Sequence, residues 1–274
     1  MDRRRIDAGG RCSHVCLTRG RTVARTREVI FLRLLSLLAL SVTFTAEALW
    51  AGRPLDTEDT GTIEAGRGEL ELSLDYATDG ADKVGAFRGV FGVGVLPRLE
   101  ARIEATALLL DVEGEKTRGG IGDSVFGVKY RFLDETDALP AALGSVVLRL
   151  PTGDDTRGLG AEGVDVTLLA VLSKAFGPVT LTWNGGYTFV TQERELDTWI
   201  LAGALEYRVT EAWALVGEVF STLGADHAPD TAILRVGNVY ALTERIKLDA
   251  AVGFGMTRDT PDVLVTVGAT IALF

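Results

Sequence analysis

Cysteine is nearly absent from this chain. Of 274 residues only Cys12 and Cys16 are cysteines, both within the first twenty positions. A disulfide scaffold or a cysteine-ligated zinc site is therefore excluded for the rest of the chain. Histidine is equally scarce, and His14 and His227 leave too little for a histidine-rich metal centre. Proline is low at seven residues and no Gly-X-Y period is present, which excludes collagen-like and low-complexity disordered classes. Positive charge is outnumbered in the body of the chain. Residues 1–48 carry nine arginines against four acidic residues, whereas residues 49–274 carry 19 basic and 34 acidic residues, a net −15. Nucleic acid requires a basic face and is excluded as a partner. No run after Trp50 reaches 18 apolar residues, so no transmembrane helix is expected there. Glycine, by contrast, is abundant: 32 residues, about 12% where about 7% is usual.

The first 48 residues read as an N-terminal extension and signal peptide. Met1–Glu28 is arginine-rich without an apolar period, and is either a long n-region or the product of a start codon placed too far upstream. Leu34–Phe44 is an 11-residue apolar run, too short to span a bilayer but suited to an h-region. Ala46-Glu47-Ala48 supplies a small-x-small cleavage pattern; cleavage is expected after Ala48, with Ala51 the second choice. Export would leave a mature chain without cysteine.

Beyond Trp50 the dominant signal is alternation with period two. Glu69, Glu71, Ser73 and Asp75 alternate with Leu70, Leu72, Leu74 and Tyr76; Glu100, Arg102 and Glu104 alternate with Leu99, Ala101 and Ile103. The same pattern recurs around Lys129 and Arg131, around Thr180 and Thr182, and around Lys247 and Asp249. Turn residues divide the chain into twelve strands. They fall near 68–77, 84–95, 98–110, 121–133, 140–151, 164–176, 179–191, 197–209, 212–222, 231–242, 245–257 and 262–274. Short connections (Leu96-Pro97, Asp134–Asp137, Gly177-Pro178, Thr210-Glu211, Thr243-Glu244) alternate with longer acidic ones (Thr78–Lys83, Asp111–Gly119, Thr152–Gly163, Gln192–Leu196, Leu223–Asp230, Arg258–Pro261). Short turns on one side and long loops on the other mark an outer-membrane barrel. The expected fold is all-β: a transmembrane antiparallel up-and-down β-barrel of about 12 strands over residues 68–274. Both termini lie on the periplasmic side. In hydrocarbon an unpaired peptide group costs several kcal/mol, so a spanning sheet must close on itself. Residues 49–67 either hang in the periplasm or fold up as a partial plug.

Aromatics fall into two bands. Tyr130, Phe132, Phe176, Tyr207, Trp213, Tyr240 and Phe274 neighbour short turns or the C-terminus, and Tyr76, Tyr187, Phe189, Trp199 and Phe220 neighbour long loops. Interfacial girdles have this form. Phe220 shares the parity of Glu218 and needs either a bulge or a lumen-facing ring. Phe274 supplies a terminal aromatic of the kind the barrel-assembly machinery reads, although Gly268, Thr270 and Ala272 before it are small or polar.

Charged residues of the polar parity must face water or one another. The lumen-lining candidates are Glu69, Glu71, Glu100, Arg102, Glu104, Lys129, Arg131, Glu206, Arg208, Lys247 and Asp249. Glu100 and Glu104 are placed to pair with Arg131 and Lys129 across neighbouring strands. The set reads either as a solute-selecting constriction or as an ionic network filling a narrow barrel. Asp154, Asp155 and Glu162 lack the ordered spacing of a calcium loop and read as solvated acids. The long loops, acidic in sum, would bridge lipopolysaccharide through divalent cations. The glycines of Gly89–Gly94 precede no helix, so a dinucleotide fingerprint does not apply. No metal, cofactor or catalytic residue is expected. A lipid-acting barrel enzyme would need a serine oriented on His227, and Ser221 is the nearest candidate in sequence.

Several segments resemble the outer-membrane transporter family named for the meta-pathway of phenol degradation: GIGDSVFGVKYRFLDE (Gly120–Glu135), LRLPTGDDTRGLG (Leu148–Gly160) and SKAFGPVTLTWNGGYTFV (Ser173–Val190). RPLDTEDTGTIEAGRGELEL (Arg53–Leu72) is similar to the entry to that barrel, and Leu205–Phe220 and Tyr240–Asp262 to its closing hairpins. The resemblance covers residues 53–274. It implies a barrel in the outer membrane of a Gram-negative bacterium that passes small organic, including aromatic, solutes by passive diffusion. It supplies no catalytic residues. The alternative reading is a structural or adhesive surface barrel with a filled lumen.

Overall fold

The computed structural model describes residues 52–274; the N-terminal extension, the apolar run and both cleavage positions lie outside the described residues. Alternation gives each strand one wet and one apolar face, and the strands pair in sequence order. They are β1 (Gly68–Asp79), β2 (Asp82–Leu96), β3 (Leu99–Asp111), β4 (Arg118–Ile121), β5 (Ser124–Leu133), β6 (Ala141–Leu150), β7 (Asp165–Phe176), β8 (Val179–Val190), β9 (Thr198–Arg208), β10 (Trp213–Gly224), β11 (Thr231–Ala241), β12 (Ile246–Gly255) and β13 (Val263–Ala272). Every pairing is antiparallel, and β1 pairs with β13 as well as β2, so the sheet closes. Closure removes the edges that an open sheet would leave unpaired.

Thirteen strands occupy twelve places in the wall, because β4 and β5 both pair with β3. Ala107 faces Ile121 and Glu104 faces Val125, so one extra residue sits between the two strands, as in a β-bulge. The interruption falls at Gly122-Asp123, where Gly122 N still donates to Thr106 O at 2.8 Å. All twelve expected strands are present, with ends within three residues of the sequence reading.

Two connections depart from the expected alternation of lengths. Thr78–Lys83 is not a long loop: Thr78 pairs with Lys83 and Asp79 with Asp82, leaving a two-residue turn at Gly80-Ala81. Gly80 makes this possible at φ +58, a conformation open to glycine. The Asp79-Gly80 dipeptide is itself a hairpin signal. The β5–β6 connection, read as four residues, spans 134–140.

The outer face carries the apolar side chains. On β1, Leu74 and Tyr76 are about half exposed while the adjacent lumen-parity Ser73 is 3% exposed. Phe87, Phe91, Tyr130, Phe132, Trp183, Trp199 and Tyr240 are likewise exposed. That distribution suits a lipid-facing surface. Phe220 needs no bulge, since β10 keeps continuous register with β9 and β11. It therefore shares the lumen parity of Glu218.

Candidate functional site

Inward-facing side chains divide the lumen into two unlike walls. β1, β2, β3 and β5 contribute Glu69, Glu71, Asp75, Arg88, Glu100, Arg102, Glu104, Lys129 and Arg131, at alternate positions of each strand. The buried inward positions of β6, β7, β8, β10 and β11 are instead apolar or uncharged: Leu143, Ser145, Val171, Ser173, Thr182, Asn184, Val216 and Val239. Exceptions on that side are Glu206, Arg208, Glu218 and Arg235, and the Arg149–Asp165 pair nearer the loops; β12 adds Lys247 and Asp249.

Residues 52–67 run through this lumen and join its groups. Thr57, Glu58, Asp59 and Thr60 are all under 9% exposed. The Asn184 side chain grips the Glu58 backbone at two points: Glu58 N donates to its Oδ1 and its Nδ2 donates to Glu58 O, both at 2.7 Å. Glu58 ion-pairs with Lys129 at 3.0 Å and with Arg102, and Lys129 also reaches Glu100 at 3.6 Å. Glu100 accepts from Ile63 N at 2.9 Å. Glu218 accepts from Asp56 N at 3.0 Å, Thr57 N at 2.8 Å and Thr57 Oγ1 at 2.6 Å. Arg235 ties Glu218 to Asp56 and donates to Pro54 O at 3.0 Å. Arg53 pairs with Asp249 at 3.0 Å and donates to Thr266 Oγ1 at 2.9 Å. Arg131 donates to Thr60 O at 3.4 Å.

Glycines on the lumen face make room for the segment. A Cβ at Gly268 would fall 2.5 Å from the Arg53 guanidinium, one at Gly92 would meet the Ile63 side chain at 2.7 Å, and one at Gly94 would collide with the Glu64 carbonyl. Ala65 bridges to Gly94, and Gly66 N donates to Gly94 O at 2.8 Å.

The structure distributes the eleven sequence candidates over several surroundings. Glu58 and its neighbours bring Glu100, Arg102, Lys129 and Arg131 together; Glu69, Glu71 and Lys247 line a cavity beside them. Glu206 lines a separate, smaller space with Asp59, and Asp249 holds Arg53. Glu104 turns to Arg88 at 3.3 Å. Arg208 shares the parity of Glu206 near the β9 end. The expected cross-strand pairs of Glu100 with Arg131 and Glu104 with Lys129 do not form: Lys129 lies opposite Glu100, Glu104 lies opposite Val125, and Arg131 pairs with Asp134 at 3.1 Å. The sequence reading did not single out Asp56, Glu58, Arg53, Asn184, Glu218 or Arg235 as lumen residues. Glu218 and Arg235 carried the same parity signal, each a charge centred in an apolar strand. Asn184 shared the polar parity of Thr180 and Thr182, and the three segment residues carried no signal.

Two cavities remain beside the segment on the charged side, of about 270 Å³ and 130 Å³. Val90, Val125, Val147 and Leu264 line the larger one together with Arg88, Asp75 and Glu104. On the opposite side only about 40 Å³ remains.

At the loop end, residues 151–164 fold against the bulge. Asp123 accepts from Gly153 N at 3.0 Å and Ala161 N at 2.8 Å, and Leu159 is 2% exposed. Asp154 accepts from Thr156 Oγ1 at 2.7 Å, and among the described residues no cluster of three or more His, Cys, Asp or Glu side chains is arranged to hold a metal. His227 Nδ1 faces the carboxylates of Asp226 at 3.3 Å and Glu195 at 3.5 Å, not Ser221. In the neighbouring loop Asp197 accepts from Arg194 at 2.8 Å and Val190 N at 2.7 Å. The Arg194 hydrogen bond holds the Asp197 carboxyl below its ordinary range.

A family model described as "Putative MetA-pathway of phenol degradation" matches residues 51–273. Among solved structures, the COG4313 outer membrane channel from Pseudomonas putida F1 superposes with a TM-score of 0.64 at 15% identity, covering 80% of this chain and all of that one. The NanC porin gives 0.56 at 11% identity over 74% of this chain and 100% of its own. The KdgM porin in complex with disordered oligogalacturonate gives 0.52 at 8% identity, over 74% and 99%. At these identities the likeness is one of fold.

Proposed function

The chain belongs to the phenol-degradation outer-membrane family that the match over residues 51–273 identifies, and we propose that it is a passive channel for small organic solutes. Residues 52–67 narrow it as a plug. One observation carries this reading: the 270 Å³ cavity beside the segment has a mixed wall, with Val90, Val125, Val147 and Leu264 against charged side chains. A dry cavity of about 150 Å³ accepts benzene, so this space admits a single-ring solute. The aliphatic patch would receive the ring and the polar groups its substituent. Twelve strands also stand between the filled eight-stranded barrels and the open 16–18-stranded ones.

Deleting residues 53–66 tests the plug. The deleted protein, refolded in detergent and shown to be folded by heat-modifiable gel mobility, should conduct more than the full protein in a planar bilayer. Unchanged conductance would remove the plug from the account. The buried Glu58–Lys129–Glu100 network favours a second reading, a structural or adhesive barrel with a filled lumen. A folded but silent full protein, insensitive to small aromatic solutes, would support that reading instead.

A lipid-acting site on His227 and Ser221 is disfavoured, because the His227 ring is turned to carboxylates rather than to a serine hydroxyl. Export through residues 1–48 would deliver the chain to the outer membrane. There the strand ending in Phe274 would engage the assembly machinery and the exposed aromatic bands would contact lipid. The acidic loops would meet lipopolysaccharide through divalent cations.

A further inference from the structure

The two cavities on the charged side adjoin. Both are walled by Gly52, Glu58, Glu71, Val90 and Arg102. The upper one reaches Asp75 and Glu104, and the lower one reaches Glu69 and Thr270. Together they form a bypass along β1, past the segment that fills the rest of the lumen. On β1 the inward positions stack at every second residue, which gives a column of Glu69, Glu71, Ser73 and Asp75 along the bypass.

The charge balance of this wall is uneven. Arg53 is held by Asp249, Arg235 by Asp56 and Glu218, Arg88 by Glu104, and Arg102 and Lys129 by Glu58 and Glu100. Glu69 and Glu71 have no ion pair or side-chain hydrogen bond among the described residues, and Lys247 lines the lower cavity with them. Glu71 lines both cavities, so it stands where the bypass passes the segment. A carboxylate at a narrow wet point attracts cations and repels anions, the more so where water is scarce.

We propose that Glu71, with Glu69 below it, makes the bypass along β1 a pathway selective for cations and for small organic solutes bearing a positive end, such as ammonium compounds, over carboxylates. This rests on the channel reading above. It assigns selectivity to the lumen rather than to the acidic loops.

The test is a reversal-potential measurement on the full protein in a planar bilayer under a potassium chloride gradient. Benzylammonium chloride and potassium benzoate then serve as organic probes. Potassium should be preferred to chloride, and benzylammonium should permeate where benzoate does not. Glu71→Gln should lower the potassium-to-chloride ratio by roughly thirtyfold, because one unit charge at about 4 Å in a watery path shifts each ion by roughly fivefold and in opposite directions. Glu69→Gln should lower it less, and provides the same readout if Glu71→Gln fails the heat-modifiability check. Asp155→Asn, in the loop, should leave the ratio unchanged. A conducting protein that prefers anions, or whose ratio ignores both glutamate substitutions, overturns this proposal and leaves the channel reading standing. A folded protein that never conducts removes both.

Discussion

At the residue scale, one carboxylate from outside the strands, Glu58, joins Arg102 of β3 to Lys129 of β5. Glu100 and Lys129 were legible as inward charges because each sits among apolar neighbours of opposite parity. Their shared partner was not, since Glu58 comes from outside the strands and its contacts have sequence separations of 44 and 71 residues. Nothing local in RPLDTEDTG marks Glu58 over Asp56 or Asp59. Asp197 illustrates the same limit outside the barrel wall. Its carboxyl is buried beneath Arg194 and also accepts from Tyr187 Oη at 2.9 Å, which pins the β8–β9 loop. A carboxyl whose folded pKa is depressed contributes stability that is present above its unfolded value, about 3.9, and lost as pH falls through the folded value. The loop should therefore stay resistant to protease at neutral pH and open only in acid, below about pH 4. Limited proteolysis with pepsin across pH 2 to 5, followed by mass spectrometry, checks this. Asp197→Asn should abolish the acid step, because the amide does not titrate.

At the scale of elements, period two located every strand, because burying one face and wetting the other forces alternation whatever the tertiary detail. Connections were read less well. Gly80 in the left-handed region lets β1 turn directly into β2, whereas counting polar residues suggested a loop. The bulge between β4 and β5 was hidden because Gly120–Ser124 carries no apolar residue to shift parity except Ile121. Asp123 at that bulge holds both ends of the 151–164 loop by backbone hydrogen bonds. Its replacement in Asp123→Ala should cost about 1–3 kcal/mol locally and expose the loop. Tryptic cleavage at Arg157 should accelerate, while the barrel keeps its heat-modifiable mobility. The lumen-face glycines follow a different logic. In the structure Gly92, Gly94 and Gly268 give clearance to residues 53–64. At Gly94 the obstacle is backbone, which cannot rotate away. Gly94→Val should therefore displace residues 63–66 from β2 without unfolding the wall, and single-channel conductance should rise.

At the scale of the whole molecule, the wall and its contents are held by different forces. The wall is a closed ladder of backbone hydrogen bonds, complete without residues 52–67. The contents are ion pairs whose members are nearly dry: the side chains of Lys129, Glu58 and Glu100 are 5%, 8% and 6% exposed. Such a cluster is sensitive to losing one partner, because the others keep their charge without compensation; breaking a buried pair typically costs about 3–5 kcal/mol. Removing the whole segment is a different perturbation. Water then enters the lumen, and Lys129 and Arg235 exchange protein partners for hydration, so each orphaned charge costs far less. The two perturbations should thus be non-additive. Lys129→Met, which leaves Glu100 without an ion pair and Glu58 with Arg102 alone, should destabilise the full protein by about 3–5 kcal/mol in urea unfolding. The same substitution in the protein lacking residues 53–66 should be close to neutral. A double-mutant cycle measures the difference directly. Equal losses in both backgrounds would mean that Lys129 stabilises the wall itself through Glu100, and that the segment is held by its Asn184, Glu218 and Arg235 contacts alone.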